Sequence, residues 1–87
     1  MTGMLATSKA GHDKSMVYVI IKEEAEYIYL VDGKIRTLEK PKKKNKKHIQ
    51  IIKQCPDADM AGQIRSGVAD DIMIRKFIQK YKADIND

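Results

Sequence analysis

The stretch YIYLVDGKIRTL, residues 27 to 38, constrains the fold more than any other. Tyr27–Val31 is a run of aromatic, β-branched and leucine side chains, a composition that suits a pleated strand. Asp32-Gly33 follows at once. Two-residue hairpin turns favour that dipeptide because both of their central residues need positive φ. The predicted pairing is therefore Tyr27–Val31 antiparallel to Lys34–Leu38. Three further segments read as strands: Met4–Ser8, Met16–Ile21 and His48–Ile52. Short strands joined by tight connections predict a mainly β fold, a small barrel or sandwich of five strands.

The pattern changes after residue 53. Residues 54–69 (QCPDADMAGQIRSGVA) contain Pro56, Gly62 and Gly67 and show no period, and they read as a linker of low order. From Asp70 the period is helical. Ile74, Phe77, Ile78, Tyr81 and Ile85 share one face of a helix over 70–85. Asp70 and Asp71 at its start and Lys80 and Lys82 near its end suit the helix dipole. The expected organisation is a barrel over 1–53, a linker over 54–69 and an amphipathic helix over 70–85. The apolar helix face has two readings, packing on its own barrel or docking into a partner or a second copy. The first is favoured, because a five-stranded domain of about fifty residues buries little on its own.

At 87 residues the chain has room for one small domain and none for a large catalytic cleft with a separate substrate domain. Its charge is uneven. Residues 1–54 carry eleven lysines and Arg36 against six acids, net +6, while residues 55–87 are net −1. Such a bias points to a polyanionic partner, nucleic acid first and an anionic membrane surface second. Cys55 is the only cysteine, so no intrachain disulfide forms, which fits a reducing compartment. The opening MTGMLATSKAGHDK lacks the apolar run of a signal peptide, and MVYVII falls far short of the roughly 20 residues of a spanning helix. A soluble cytoplasmic protein, with no membrane role, is expected.

The charge concentrates in EKPKKKNKKHIQ, residues 39 to 50, which holds six lysines. Strand signals on both sides, KIRTL before and HIQII after, predict a loop tethered between the last two strands. It can be a solvated basic loop without a partner, a nuclear targeting signal, or an RNA-binding loop. The RNA reading has a direct physical basis, since each lysine that pairs with a phosphate releases a condensed counterion. Lys40, Lys42, Lys43, Lys44, Lys46 and Lys47 are the candidate phosphate ligands. Asn45 is a candidate hydrogen-bonding partner for sugar or base, and His48 is a candidate for stacking under a base. Lys34 and Arg36, predicted on one strand face, extend the surface. So do Lys9, His12 and Lys14 around the Gly11 turn of SKAGHDKS.

These segments together carry a resemblance. Lys9-Ala10-Gly11-His12-Asp13-Lys14, then Val31-Asp32-Gly33-Lys34, then the Lys-Pro-Lys-Lys-Lys-Asn-Lys-Lys-His run resemble the KOW-motif ribosomal proteins of the archaeal and eukaryotic large subunit and their short bacterial relatives. The resemblance covers about residues 3–52. It implies an SH3-like β-barrel that binds ribosomal RNA and often touches proteins as well. In it Gly11, Asp32 and Gly33 are structural turn residues. Ser15 stands where family members often have a second glycine, so the turn after Lys14 departs from the family pattern.

Catalysis finds no support in the sequence. His12-Asp13 are neighbours on a predicted exposed turn, without a nucleophile or a phosphate-cradling glycine loop. Cys55, His12 and His48 lie at spacings unlike any zinc signature. No cofactor, no metal and no small-molecule substrate are expected. Tyr18, Tyr27 and Tyr29 read chiefly as barrel packing, with base stacking as the alternative. The expected function is a non-catalytic, ribosome-associated RNA-binding module. The alternative is a protein-interaction adaptor in translation or transcription, with ribosomal or transcription proteins as partners of the barrel or helix face.

Overall fold

The computed structural model describes residues 1–9 and 16–85. Gly11, His12 and Lys14 therefore lie outside the described residues. Five strands form one antiparallel sheet: β1 (Leu5–Ser8), β2 (Val17–Glu23), β3 (Tyr27–Val31), β4 (Lys42–Asn45) and β5 (Ile49–Ile52). Two helices follow, α1 (Ala58–Arg65) and α2 (Asp71–Ile85). The fold is mixed, a small sheet plus two helices, rather than the mainly β domain with one appended helix that the sequence predicts.

The strand order is β4-β3-β2-β1-β5, so β4 and β5 lie at opposite edges of the sheet. Yet only a single 3-10 turn, Lys46–His48, separates them in the chain. In a flat sheet these edges would stand four strand spacings apart, about 19 Å. A 3-10 turn advances only ~2 Å per residue. The sheet must therefore coil steeply. A second contact says the same. Lys44 on β4 donates through Nζ to Ser8 Oγ on β1 at 2.7 Å, although β3 and β2 lie between their strands. The predicted closed barrel is corrected on one point: no ladder joins β4 to β5, and the sheet stays open.

Alternation along the strands, interrupted in β2 by a register shift between Ile20 and Lys22, divides the core in two. Ala6, Tyr18, Ile20, Ile28, Leu30 and Ile49 are buried on the concave face. Leu5, Val17, Val19 and Val31 point the other way, against Ala61 and Ile64 of α1 and Ile74, Phe77 and Ile78 of α2. The neighbouring residues Leu5 and Ala6, or Val19 and Ile20, thus serve different cores because successive side chains leave opposite faces of a strand. Phe77 and Ile74 are almost fully buried. The apolar face of α2 packs on its own sheet, and only its last member, Ile85, is exposed.

Two sequence expectations fail for reasons visible in the hydrogen bonds. Lys34–Leu38 is not a strand. Asp32 keeps a negative φ, and only Gly33 is positive, at 81°, so the two-residue hairpin geometry is absent. The Asp32 carboxylate accepts the amides of Lys34 (2.8 Å) and Arg36 (2.9 Å), while the Arg36 carbonyl accepts the amides of Asp32 and Gly33. The chain is rolled into a side-chain-braced loop. It ends where the Leu38 amide donates to Asp71 Oδ1 at 2.9 Å. The place beside β3 is taken by β4 instead, with Tyr27 opposite Asn45 and Leu30 opposite Lys42.

The segment 54–69 is not a featureless linker. Asp57 caps α1 by accepting the Met60 amide at 3.0 Å. The helix ends in a Schellman arrangement: Val68 donates to the Gln63 carbonyl and Gly67, at φ 76°, donates to that of Ile64. No helix among the described residues is long and apolar enough to cross a membrane.

Candidate nucleic-acid interface

The lysine run is not one loop. It supplies β4, the 3-10 turn and the approach to β5, and its side chains leave in different directions. Lys42 and Lys44 pair with the concave-face residues Leu30 and Ile28, so their side chains turn inward. Lys42 Nζ sits 5.8 Å from the Tyr18 ring centroid. Burial lowers its pKa, and the neighbouring Lys44 charge adds to the effect. The Tyr18 hydroxyl is pushed the other way, chiefly by burial and then by the Asp32 carboxylate.

Lys43 points to the opposite face. Its Nζ lies 4.5 Å above the Tyr27 ring and 6.0 Å from that of Tyr29, distances of a cation over an aromatic face. Lys22 approaches Tyr29 from the neighbouring strand at 5.3 Å. The helices cover other parts of this face, and Tyr27 remains exposed. The Tyr29 hydroxyl donates to Glu24 at 2.8 Å, which raises its pKa. Lysines interleaved with the exposed Tyr27 and the half-buried Tyr29 offer both charge for phosphate and a surface for base stacking.

The 3-10 turn builds a corner. Asn45 Oδ1 accepts the Lys47 amide at 2.9 Å and caps the turn, which leaves its side-chain NH2 as the group free for a ligand. The Lys9 amide donates to the His48 carbonyl at 2.9 Å, which brings Lys9 beside His48. Lys9, Lys47 and His48 are all exposed there. Lys46 differs, because its Nζ is 2.7 Å from Glu23 Oε2. That bond, with a second from the N-terminal amine to Oε1, holds Glu23 down at about 2. A shallow groove of about 220 Å³ runs between Ala25-Glu26 and Asn45–Lys47.

The two residues predicted to share a strand face diverge. Arg36 lies close enough to Tyr18 to favour its charged form. Lys34 lines a small cleft against α2, together with Arg75 and Lys82. Lys40 is exposed beyond the braced loop. The structure thus joins Lys9, Lys47 and His48 in one corner and Lys43 with Tyr27 and Tyr29 on one edge. It assigns Lys42 and Lys44 to the concave side and Lys46 to an ion pair. Sequence reasoning missed Arg75 and Lys82. Their signal was present, since Arg75, Ile78, Gln79 and Lys82 follow an i, i+3, i+4, i+7 spacing along one flank of α2. Cys55 is exposed, and no three His, Cys, Asp or Glu residues gather into a metal-binding group among the described residues.

No protein-family model matches the chain, and no curated protein matches it either.

Proposed function

We propose that the protein is a non-catalytic RNA-binding module that works at the ribosome on an SH3-like, KOW-type scaffold. The observation that carries this reading is the exposed edge where Lys43 lies over Tyr27 and Tyr29. Charge and aromatic surface meet there on a backbone held by the sheet, so little ordering is needed when a single-stranded segment binds. The corner of Lys9, Lys47 and His48 extends the positive surface along the chain. A steeply coiled five-stranded sheet whose edge strands are joined by a 3-10 turn is compatible with the scaffold that the KOW resemblance implies. The adaptor reading loses its helix route, because the apolar face of α2 is buried on its own sheet.

The test is binding to ribosomal RNA across a salt series, for the wild type and for Lys9→Gln/Lys43→Gln/Lys47→Gln. The substituted ammonium groups are exposed, so the fold is kept. Each lost phosphate contact lowers the log–log salt slope by ~0.7 for a single strand, so the triple variant should lose about 2. An unchanged slope refutes the proposed face. Co-sedimentation with ribosomal subunits, lost at raised salt, tests the ribosomal part of the reading.

A further inference from the structure

The cleft against α2 has a composition that the lysine run does not explain. It has a volume of about 90 Å³, enough for a tetrahedral oxyanion or a few waters, and it opens to solvent. Three cations line it from two distant parts of the sequence: Lys34 from the braced loop and Arg75 and Lys82 from α2. Gln79 adds an amide, and Val17 and Ile78 supply an apolar floor. Arg75 is fixed in place, since its Nη1 donates to the Gly33 carbonyl at 2.7 Å. That bond leaves its remaining N–H groups as donors. Two carboxylates are near. Asp32 lines the cleft, but its Oδ1 is already bonded to the Lys34 and Arg36 amides. Asp71, one turn before Arg75, accepts the Leu38 amide. Neither Lys34 nor Lys82 forms an ion pair with a described carboxylate. Three cations against Asp32 leave the cleft with a formal charge of +2.

We propose that this cleft is a phosphate subsite that takes one backbone phosphate of the bound RNA, so that α2 belongs to the binding surface as well as to the core. The RNA part of this inference rests on the function proposed above; the oxyanion chemistry of the cleft does not. A fixed guanidinium supplies directional donors, and the two lysines supply mobile charge that closes over the ligand. The apolar floor keeps water from one side of the anion and strengthens each contact.

The experiment has two arms. In the first, inorganic phosphate is titrated into the 15N-labelled protein. The amides of Gly33, Lys34 and Gln79 and the Arg75 side-chain Nε–H should shift together, and Lys34→Gln/Lys82→Gln should abolish the response. In the second, that double variant is taken through the RNA salt series. Its slope should fall by about 0.7, the loss of one phosphate, with affinity several-fold lower. Phosphate shifts spread evenly over the exposed lysines overturn the subsite. So does an unchanged RNA slope in the double variant while the variant at Lys9, Lys43 and Lys47 loses its own. A wild type that responds to phosphate at the cleft but binds no RNA keeps the subsite and overturns the RNA reading.

Discussion

Replacing Gly33 by alanine tests the junction on which the sheet, the braced loop and α2 depend. Gly33 has φ of 81°, and a Cβ built there would stand 2.5 Å from the Asp71 carbonyl oxygen and 2.8 Å from Arg75 Cγ. The first contact is with helix backbone, so it cannot be relieved by a rotamer change. Holding an L-residue in the left-handed region costs about 1–2 kcal/mol. Forcing a methyl into a filled site costs about 1–3 kcal/mol more. The sum, roughly 2–5 kcal/mol, is a large share of the ~4–13 kcal/mol expected for a domain of this length. At about 4–8 °C per kcal/mol, the melting temperature should fall by roughly 20 °C. Two other glycines calibrate the measurement. Gly67 also has positive φ, at 76°, but nothing lies within 4 Å of its Cβ position, so alanine there should cost only the backbone term. Gly62 sits inside α1 with its nearest neighbour, Arg65 Nη2, at 3.8 Å, and alanine there should gain about 0.5–1 kcal/mol. Thermal melts followed by circular dichroism rank the three. If Gly33→Ala is no worse than Gly67→Ala, α2 does not lie against the loop, and the cleft loses its geometry.

Other perturbations separate structure from binding. Lys44→Ala removes the bond to Ser8 Oγ and should cost about 0.5–1.5 kcal/mol in a melt while leaving the RNA salt slope intact; a lost slope with unchanged stability would place Lys44 on the RNA side. Phe77→Ala, at a nearly fully buried site shared by α2 and the sheet, should cost about 3–5 kcal/mol in a denaturant titration, and a loss under 1 would contradict that packing. Glu23, held at about 2 by Lys46 and the N-terminal amine, has a folded pKa below its ordinary 4.5. Its stabilising contribution is therefore complete above pH 4.5 and is lost as pH falls toward 2; Lys46→Ala should move the Glu23 titration, read by NMR, back toward 4.5, and no movement would sink the pairing.

Runs of β-branched, aromatic and other apolar side chains made β1, β2, β3 and β5 legible, because these strands feed the buried cores, and β1 and β2 bury residues on both faces. The helical period of α2 was equally plain, and Asp70 caps it by accepting the Met73 amide. What failed was local turn chemistry. Asp32-Gly33 suits a hairpin, but the Asp32 carboxylate also satisfies two amides downstream, and that alternative prevails when Asp71 holds Leu38 and Arg75 holds Gly33. Those two clamps come from residues 33 to 42 positions away in the chain, so no local window contains them. Helix α1 was missed for the opposite reason. Its signals, Pro56-Asp57 at the start and Gly67 at the end, were present, but an internal Gly62 and only two buried positions weakened the period.

The lysine run shows why composition alone misleads about a site. Six lysines in twelve residues read as a tethered basic loop open to a polyanion, because burying a charge is costly and like charges repel. The structure meets both constraints by alternation. A strand sends Lys43 to one face and Lys42 and Lys44 to the other, which halves the crowding on each side. The inward pair keep their stems against the concave core while their ammonium groups reach Tyr18 and Ser8. A tethered loop would present all of these charges to a polyanion at once. An edge strand presents a subset at fixed spacing, beside two tyrosines, and uses the rest to hold the sheet in its coil. On this geometry the number of phosphates contacted should be smaller than the lysine count implies, and the measured salt slope should track Lys9, Lys43 and Lys47 together with the cleft on α2.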